Sequence, residues 1–396
     1  MYCRAVNPLK TRSFFLFGAR GTGKTSFLRE FFADARTLWI DLLSDSEFLA
    51  FGRAPALLEE RIKAQVVKTG QAPEWIVIDE VQRVPKLLNE VHRLVEDRKF
   101  QPKLRFALTG SSARKLKRGG ANMLGGRALL NNLFPLTFLE LGGDFNLETA
   151  LRWGSLPEIW TAPDDITRAE ALKSYYHTYL REEIREEQLV RQLDPFTRFI
   201  EVAAQVSGKI VNFSAIGREA GIHGGAVQRY FEILEDTLLG VFLPAFHRSV
   251  RKQQTMSPKF YLFDLGVQRA IQNSVSAPLT AQSYDFGNLF EQFIILECVR
   301  LNSYLRKDFR LSYLRTKDDA EIDLIVERPG KKPLLVEIKS SENVDAVEVR
   351  KLARFLDDPA FDKGLFLSRD AQPRVLHDIP IFPWQQGLRH IFEIPD

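Results

Sequence analysis

The residues most able to do chemistry lie in "FFLFGARGTGKTSFL", residues 14–28. Glycines let the backbone approach an anion closely, so that amide N–H groups and a helix N-terminus can face phosphate oxygens. A lysine after the last glycine adds a cation for the outer phosphates, and the next hydroxyl adds a ligand for Mg²⁺. The spacing fits G-x-x-x-x-G-K-[ST] between an apolar strand and a helix, which predicts a nucleotide-phosphate site. The predicted site consists of Gly18, Ala19, Arg20, Gly21, Thr22, Gly23, Lys24, Thr25 and Ser26.

An acidic pair follows a second apolar run, in "WIVIDEVQRVP" (75–85). Ligands of parallel α/β sheets bind at the carboxyl ends of the strands, where these acids would stand. Asp79 suits a Mg²⁺ ligand acting through water, and Glu80 suits the residue that orients and polarises an attacking water. Capping of the following helix is the alternative role for the two acids. Together with the phosphate loop, they predict ATP and Mg²⁺ as ligands and Lys24 and Glu80 as catalytic residues.

Polar and basic residues also follow the apolar run "RFALTG" (105–110). Ser111 and Ser112 would lie near the γ-phosphate as polar sensors of its presence. Arg114 and Arg127 are candidates for an arginine finger, which a neighbouring subunit would supply to neutralise charge during phosphoryl transfer. A solvated surface position is the alternative for each arginine.

Short apolar runs at 14–18, 38–42, 75–80 and 105–110 alternate with helix-like segments. This alternation predicts an α/β fold with a mostly parallel sheet and helices on both faces. Later changes of pattern divide the chain into four predicted domains. They are an ATPase domain at 1–145, a helical lid or linker at 146–194, a winged helix at 195–284 and a small α/β domain at 285–396.

Apolar residues recur at helical spacing in three pieces between 195 and 240, and two basic, strand-like runs follow. This order predicts a winged helix-turn-helix. The second helix, "HGGAVQRYFEIL" (223–234), would enter a DNA major groove, and the basic wing would contact phosphates. The predicted contacts are His223, Gln228 and Arg229 on the helix and Arg248, Arg251 and Lys252 on the wing. Winged helices also serve as packing lids or oligomer contacts, and that role is left open.

A charged hairpin is predicted in "EIDLIVERPGKKPLLVEIKSS", residues 321–341. Side chains two apart on a strand share a face, so Asp323 and Glu337 can converge on one cation if the two strands pair. Two carboxylates with waters and substrate oxygens would satisfy Mg²⁺, and Lys339 could orient the attacking water. Glu291, on a preceding helix, could add a third carboxylate. The alternatives are a solvated charged hairpin and a nuclease-like fold that binds without cutting.

Taken together, "GARGTGKTS", "WIVIDEVQRVP" and "LTGSSARKLKRGGANMLGGRALLNNLFPLTFLEL" resemble the AAA-plus-type ATPases of bacteria and archaea whose C-terminal domain has an unsettled role. The resemblance continues through "GSLPEIW" (154–160), "FGNLFEQFIILEC" and the final "VEIKSS". It implies a P-loop NTPase fold, ATP hydrolysis with Mg²⁺ and assembly into a homo-oligomer such as a hexameric ring. The finger arginine in trans would then be Arg127 or Arg114.

The C-terminal order of helix, three strands, helix and strand, with Asp323 ahead of a Glu-x-Lys motif, resembles the restriction-endonuclease-like superfamily. The resemblance implies a metal site at Asp323 and Glu337, assisted by Lys339, with Glu291 as the helical acid. The expected fold is therefore a P-loop ATPase sheet followed by a winged helix and a restriction-endonuclease-like domain.

Composition places the chain among ordinary globular proteins, with 45% hydrophobic and 27% charged residues and a net charge of +4. Cys3 and Cys298 lack cysteine or histidine companions, which excludes a disulfide scaffold and fits a reducing cytoplasm. The opening "MYCRAVNPLKTR" lacks the apolar stretch of a secretory signal. The sequence also contains no run of roughly 18 apolar residues, the length that could span a bilayer. We therefore expect a soluble cytoplasmic protein with no membrane partner.

Three functional hypotheses follow from these motifs. The first is an ATP-hydrolysing oligomeric motor that acts on duplex or branched DNA. The second is an ATP-controlled assembly switch whose C-terminal domain is a catalytically inactive docking module for protein or DNA. The third is a metal-dependent nuclease at Asp323, Glu337 and Lys339.

Overall fold

The structure, a computed structural model, describes most of the 396-residue chain. The described residues are 2–97, 104–111, 114, 116, 124–180, 193–254, 256–361 and 363–395. They fall into two compact units. The first unit is formed by residues 1–135 with 236–239, and the second by residues 136–235 with 240–396.

A five-stranded sheet forms the centre of the first unit. Its strands are β1 (Ser13–Phe17), β2 (Thr37–Asp41), β3 (Trp75–Asp79), β4 (Arg105–Gly110) and β5 (Ala128–Asn132). Their order across the sheet is β2-β3-β4-β1-β5, and every neighbouring pair is parallel. The four strands expected from the sequence are confirmed to within one residue at each end. The fifth was not predicted, because its residues are polar or partly exposed at the sheet edge.

Helices flank this sheet, as the alternating pattern predicts. They are Lys24–Phe31, Asp45–Arg53, Leu57–Thr69 and Leu87–Glu96, with a 3-10 turn at Val81–Arg83. Strands β1 and β3 are buried along their whole length, as expected for strands covered on both faces. The apolar core includes Phe15, Ile78 and Leu108, each with no exposed surface. The carboxyl ends of β1, β3 and β4 meet at one edge, where the polar residues follow.

The second unit begins with helices and a small antiparallel sheet. The helical segments are Phe138–Leu141, Leu147–Trp153, Pro157–Trp160, Asp165–Ser174, the π-helical Tyr175–Leu180, Leu193–Gln205, Phe213–Ala220, Gly224–Asp236, Val250–Gln253 and Leu265–Ile271. The strands are β6 (Lys209–Ile210), β7 (Gly240–Leu243) and β8 (Lys259–Leu262), in the order β6-β8-β7. The three helices expected before the strand-like runs are therefore present, and Gly224–Asp236 begins one residue after its predicted start at His223.

Buried polar contacts tie "GSLPEIW" to this unit. Asp264 accepts hydrogen bonds from the backbone N–H of Ser155 at 2.7 Å and of Val267 at 3.1 Å. Glu297 accepts one from the backbone N–H of Phe138 at 3.1 Å and pairs with Arg300 at 3.1 Å. Buried charges of this kind persist only when they are paired and hydrogen-bonded.

A six-stranded mixed sheet completes the second unit. It contains β9 (Arg310–Arg315), β10 (Glu321–Glu327), β11 (Leu334–Ile338), β12 (Lys363–Ser368), β13 (Arg374–Leu376) and β14 (Ile379–Pro383), in the order β13-β14-β12-β11-β10-β9. The helices are Tyr284–Tyr304, Ala346–Leu356 and Trp384–Phe392. The predicted order of helix, three strands, helix and strand is confirmed. The last two strands and the last helix were not predicted.

Of the helices in the described ranges, none is both long enough and apolar enough to cross a bilayer.

Candidate functional site

The phosphate loop leaves β1 and enters the helix Lys24–Phe31 through left-handed glycines. Gly21 and Gly23 have φ angles of 81° and 88°, a region that other residues enter only with strain. A Cβ atom on Gly18 would lie 2.4 Å from the carbonyl oxygen of Leu133. The glycine spacing is therefore required by the backbone path, and it leaves the first amides of the helix open to an anion.

Lys24 holds its charge inside this loop. Its Nζ donates hydrogen bonds to the carbonyl oxygens of Gly18 at 2.8 Å and Ala19 at 3.3 Å. The Thr22 hydroxyl donates to the same Ala19 carbonyl at 2.8 Å. The buried ammonium and the loop amides together form a compact, positively polarised cradle, which fits the polyphosphate of a nucleotide.

Thr25 and Asp79 join the phosphate loop to the end of β3. The Thr25 hydroxyl donates to Asp79 Oδ2 at 2.7 Å, and the Thr109 hydroxyl donates to Asp79 Oδ1. Asp79 is 2% exposed. A hydroxyl and a carboxylate beside a phosphate loop fit Mg²⁺, because this ion prefers oxygen ligands and is held by few protein groups together with substrate phosphates.

Glu80 has a constrained position directly after Asp79. Its φ of 57° is left-handed, and its backbone N–H donates to the Thr109 hydroxyl at 3.0 Å. The side-chain amide of Gln82 donates to the Glu80 carboxylate and to Ser111 Oγ, the latter at 3.3 Å. Strained backbone that neighbouring contacts enforce is common at functional sites. Gln82 therefore links the predicted base to the predicted sensor.

Thr109 and Gln82 were not predicted as site residues. The available signal was their place in "LTGSS" and "DEVQR", next to residues that were predicted. Ser112 lies outside the described residues. Arg20 and Ser26 are exposed at the loop surface.

The two candidate finger arginines differ in accessibility. Arg114 forms an ion pair with Asp236, and 12% of its side chain is exposed. Arg127 pairs with Glu96, and 39% of its side chain is exposed. Arg127 is thus the more accessible of the two side chains.

A bulge shapes the C-terminal acidic site. The register of β10 against β9 shifts between Ile322 and Ile325, and bulges of this kind re-aim side chains. Between these positions, Asp323 Oδ2 accepts a hydrogen bond from the backbone N–H of Ile338 at 2.8 Å. The antiparallel pairing of β10 with β11 that was expected from the turn is confirmed.

Asp323, Glu337 and Lys339 come together across β10 and β11, as the alternation predicts. Burial and the Asp323 carboxylate raise the pKa of Glu337, which also shares a hydrogen bond with Asp323. Lys339 Nζ lies 3.3 Å from Glu337 Oε2 and 3.4 Å from Glu348 Oε2. Burial acts to lower the pKa of Lys339, but the Glu337 and Asp323 carboxylates raise it overall.

Glu291 contacts Lys259, which was not predicted as a site residue. Lys259 Nζ lies 3.0 Å from Glu291 Oε1 and 2.5 Å from Glu321 Oε1. Burial and the Asp323 charge raise the pKa of Glu291 to about 7, although Lys259 opposes this shift. Within the described ranges, no three His, Cys, Asp or Glu side chains are arranged to hold a metal ion. Glu291 is grouped with Lys259 and Glu321, and Glu337 with Asp323 and Lys339.

The predicted DNA contacts lie on exposed surface. Arg229 is exposed on Gly224–Asp236, with His223 and Gln228 nearby, and Arg251 and Lys252 are exposed on Val250–Gln253. Arg248 pairs with Asp358, although 63% of its side chain is exposed.

Three family models match successive parts of the chain. Residues 10–142 match a model described as an AAA domain. Residues 144–277 and 286–386 match two models described as domains of unknown function, DUF8612 and DUF4143. The match over the phosphate loop and the acidic strand end supports an ATPase.

Two curated relatives are uncharacterized proteins of Mycobacterium bovis and Mycobacterium tuberculosis, each 28% identical over 264 residues. The match spans 67% of this chain and 58% of each relative.

Among solved structures, a STAND-type signal transduction ATPase from Pyrococcus horikoshii is 13% identical, with coverages of 75% of this chain and 46% of that chain and a TM-score of 0.26. A RuvB variant of Thermotoga maritima is 15% identical, with coverages of 63% and 84% and a TM-score of 0.28. These TM-scores are too low to indicate a shared overall fold.

Proposed function

We propose that the chain binds and hydrolyses ATP at the edge of the first sheet, with Mg²⁺ held by Thr25 and Asp79. The observation that carries the proposal is the 2.7 Å hydrogen bond between these two side chains. It joins the end of the phosphate loop to the carboxylate of β3, so that one ion bound there would contact both elements.

Each residue of the site has a role that follows from its contacts. Lys24 and the amides of residues 18–25 bind the phosphates, and Mg²⁺ bound with the nucleotide would neutralise phosphate charge. Glu80 orients and polarises the attacking water, while Gln82 orients the Glu80 carboxylate through its amide. Ser111 reaches the same amide, which would let occupancy of the γ-phosphate site influence Glu80.

Phosphate release tests this function directly. Wild type and Lys24→Ala are compared with ATP and Mg²⁺, with Lys68→Ala as a matched control at an exposed lysine of another helix. We expect hydrolysis by wild type and the control, and a loss of at least about 100-fold in Lys24→Ala. Equal rates in all three proteins would contradict the proposal.

We further propose that the ATPase is an oligomer acting on duplex or branched DNA, with Arg127 or Arg114 completing a neighbour's site. The three helices and three-stranded sheet at 193–262 support a winged helix, and exposed Arg229, Arg251 and Lys252 suit phosphate contact. For Arg248 to contact a phosphate, its ion pair with Asp358 would first have to break.

Two measurements separate this motor from the alternative, an ATP-controlled assembly switch. A motor should show DNA binding that weakens steeply with salt and an ATPase rate that rises with DNA. Combined substitution of Arg229, Arg251 and Lys252 by alanine should abolish both effects without changing the basal rate. Gel filtration that shows an ATP-dependent change of assembly, without any DNA effect at low salt, would favour the switch.

A further inference from the structure

We propose that the ammonium group of Lys259 takes the place of a divalent metal ion in a pocket of carboxylates beside the Asp323–Glu337 pair. The site is defined here as the acidic pocket of Glu291, Glu321 and Asp323 with Tyr261. This inference does not depend on ATP hydrolysis.

The ammonium lies between carboxylates of two different elements. Glu291 belongs to the helix Tyr284–Tyr304 and Glu321 begins β10, and both place an oxygen within ion-pair distance of Lys259 Nζ, at 3.0 and 2.5 Å. Only 4% of the Lys259 side chain is exposed, against 25% for Glu291 and 32% for Glu321. The charge is therefore enclosed, whereas the carboxylates that hold it are in partial contact with solvent.

Electrostatics explains why a cation is needed at this point. Lys259 Nζ lies within ion-pair distance of both Glu291 and Glu321, so these two carboxylates meet at one point. Uncompensated carboxylates in a partly buried pocket are costly. The Lys259 ammonium, enclosed between the two carboxylates, offsets their charge.

Tyr261 supplies a second, independent sign that the pocket is built for a ligand. Tyr261 and Lys259 are two residues apart on β8, so their side chains share one face. The Tyr261 hydroxyl is buried and has no hydrogen-bond partner among the described residues. Burial raises the pKa of this hydroxyl. A neutral oxygen beside carboxylates suits a hard divalent ion.

Lys259 comes from a different part of the chain than the acids. Strand β8 pairs with β6 and β7, and it is tied to the helix Tyr284–Tyr304 through Ser207. The Ser207 hydroxyl donates to Gln292 Oε1 at 2.6 Å and accepts from the backbone N–H of Leu262 at 3.0 Å. These contacts hold Lys259 in the pocket, so loss of its side chain alone would leave the Glu291 and Glu321 carboxylates without their cation.

Binding of Mn²⁺ tests the proposal, because bound Mn²⁺ is counted by the loss of the free-ion EPR signal. All proteins are full-length and carry Asp79→Asn, without nucleotide, so that the phosphate-loop site adds no ion. We expect no ion bound at the acidic pocket of the Lys259-containing protein and one additional ion in Lys259→Ala. Mn²⁺ should also raise the melting temperature of Lys259→Ala.

Two matched variants test whether the additional Mn²⁺ ion of Lys259→Ala binds in the acidic pocket. Lys259→Arg keeps the internal cation and should bind no additional Mn²⁺. Lys259→Ala combined with Glu291→Gln should lose the ion gained by Lys259→Ala. A folded Lys259→Ala protein that binds no more Mn²⁺ than its parent, or a gain unaffected by Glu291→Gln, would overturn the proposal.

A third measurement tests the proposal even if Lys259→Ala does not fold. In the protein that retains Lys259, absence of a Mn²⁺ ion that depends on Glu291 or Asp323 supports an internal cation. Binding of an ion that Glu291→Gln or Asp323→Asn removes would overturn it, as would Mg²⁺-dependent DNA cleavage that requires Asp323.

Discussion

Thr25 and Asp79, which are 54 residues apart in the chain, are joined by a 2.7 Å hydrogen bond from the threonine hydroxyl to Asp79 Oδ2. The contact pre-positions the two protein groups proposed to hold Mg²⁺, so neither has to be ordered when the ion binds. The Thr109 hydroxyl on the other carboxylate oxygen fixes Asp79 further. Pre-organisation of this kind lowers the entropic cost of binding.

Removal of the Thr25 hydroxyl should therefore separate metal use from phosphate binding. We expect Thr25→Val, which keeps the side-chain shape, to lower Mg²⁺-dependent kcat by about 100-fold. Thr25→Ser keeps the hydroxyl and should retain activity within a few-fold. Phosphate release at varied Mg²⁺ is the measurement, and equal activity of the valine and serine variants would contradict the assignment.

Glu80 and Gln82 should affect turnover to different extents. Glu80→Gln should still bind ATP but hydrolyse it at least about 100-fold more slowly, because the base that polarises water is lost. Gln82→Ala should lower kcat by roughly tenfold with little change in KM, since the carboxylate stays but loses its orienting amide. Nucleotide affinity by fluorescence and single-turnover rates separate the two effects. A fall in affinity that accounts for the whole loss in Glu80→Gln would exclude the catalytic role.

Arg127 can be tested as a residue supplied by a neighbouring subunit through complementation. Arg127→Ala should lower hydrolysis by about 1000-fold, and Glu80→Gln should also be inactive alone. In a mixture, the Arg127→Ala protomer keeps an intact base and the Glu80→Gln protomer supplies an intact arginine, so activity should return. The same mixture made with Arg114→Ala tests the other candidate. Failure of both mixtures to recover activity, while assembly persists, would rule out an arginine acting in trans.

Gly154, at the start of "GSLPEIW", should tolerate no side chain. Its φ is +73°, and a Cβ atom would lie 2.1 Å from Asp264 Oδ1, the carboxylate that caps Leu265–Ile271. We expect Gly154→Ala to cost at least about 2 kcal/mol of folding free energy. A Cβ atom on Gly143 would meet no other atom within 4 Å, so Gly143→Ala is the matched control and should change the melting temperature little. Comparable melting of the two variants would contradict the expected clash.

Glu297 should make stability depend on pH in a predictable direction. Burial, opposed by Arg300, raises its pKa from 4.5 to about 7 in the folded chain. Between these pH values the folded state binds more protons than the unfolded state, so its stability falls as pH rises through this window. The loss amounts to at most roughly 3 kcal/mol. This contribution to stability is fully present below pH 4.5, the pKa in the unfolded chain, and is lost above about pH 7, the pKa in the folded chain.

Melting temperatures of wild type, Glu297→Gln and the exposed-site control Glu148→Gln, measured from pH 4.5 to 7.5, test this expectation. Glu297→Gln should show a shallower decline than wild type and Glu148→Gln, because Glu291, whose pKa is also raised to about 7, still titrates in this window. Parallel curves for all three proteins would show that Glu297 does not titrate in this range.

Local sequence patterns were sufficient for the strands of the first unit and for the phosphate loop. Buried parallel strands are continuous apolar runs, and the loop depends on glycines and a lysine within eight residues of one another. The edge strand β5 was missed because an edge position imposes weaker apolar selection on its residues. Thr109 and Gln82 were missed for another reason: many polar residues follow strands, and only the hydrogen bonds to Asp79 and Glu80 distinguish these two.

In the C-terminal domain, one part of the acidic site follows from local sequence and another part only from tertiary contacts. Strand alternation in 321–341 is a local property, so the sequence by itself determined that Asp323, Glu337 and Lys339 share one face. The partner of Glu291 is not local, because Lys259 lies 32 residues away on a strand of another sheet. From sequence alone, a lysine such as Lys259 is predicted to be a solvated surface charge. Only the tertiary structure, which brings β8 beside the helix Tyr284–Tyr304, decided that this one is buried between carboxylates.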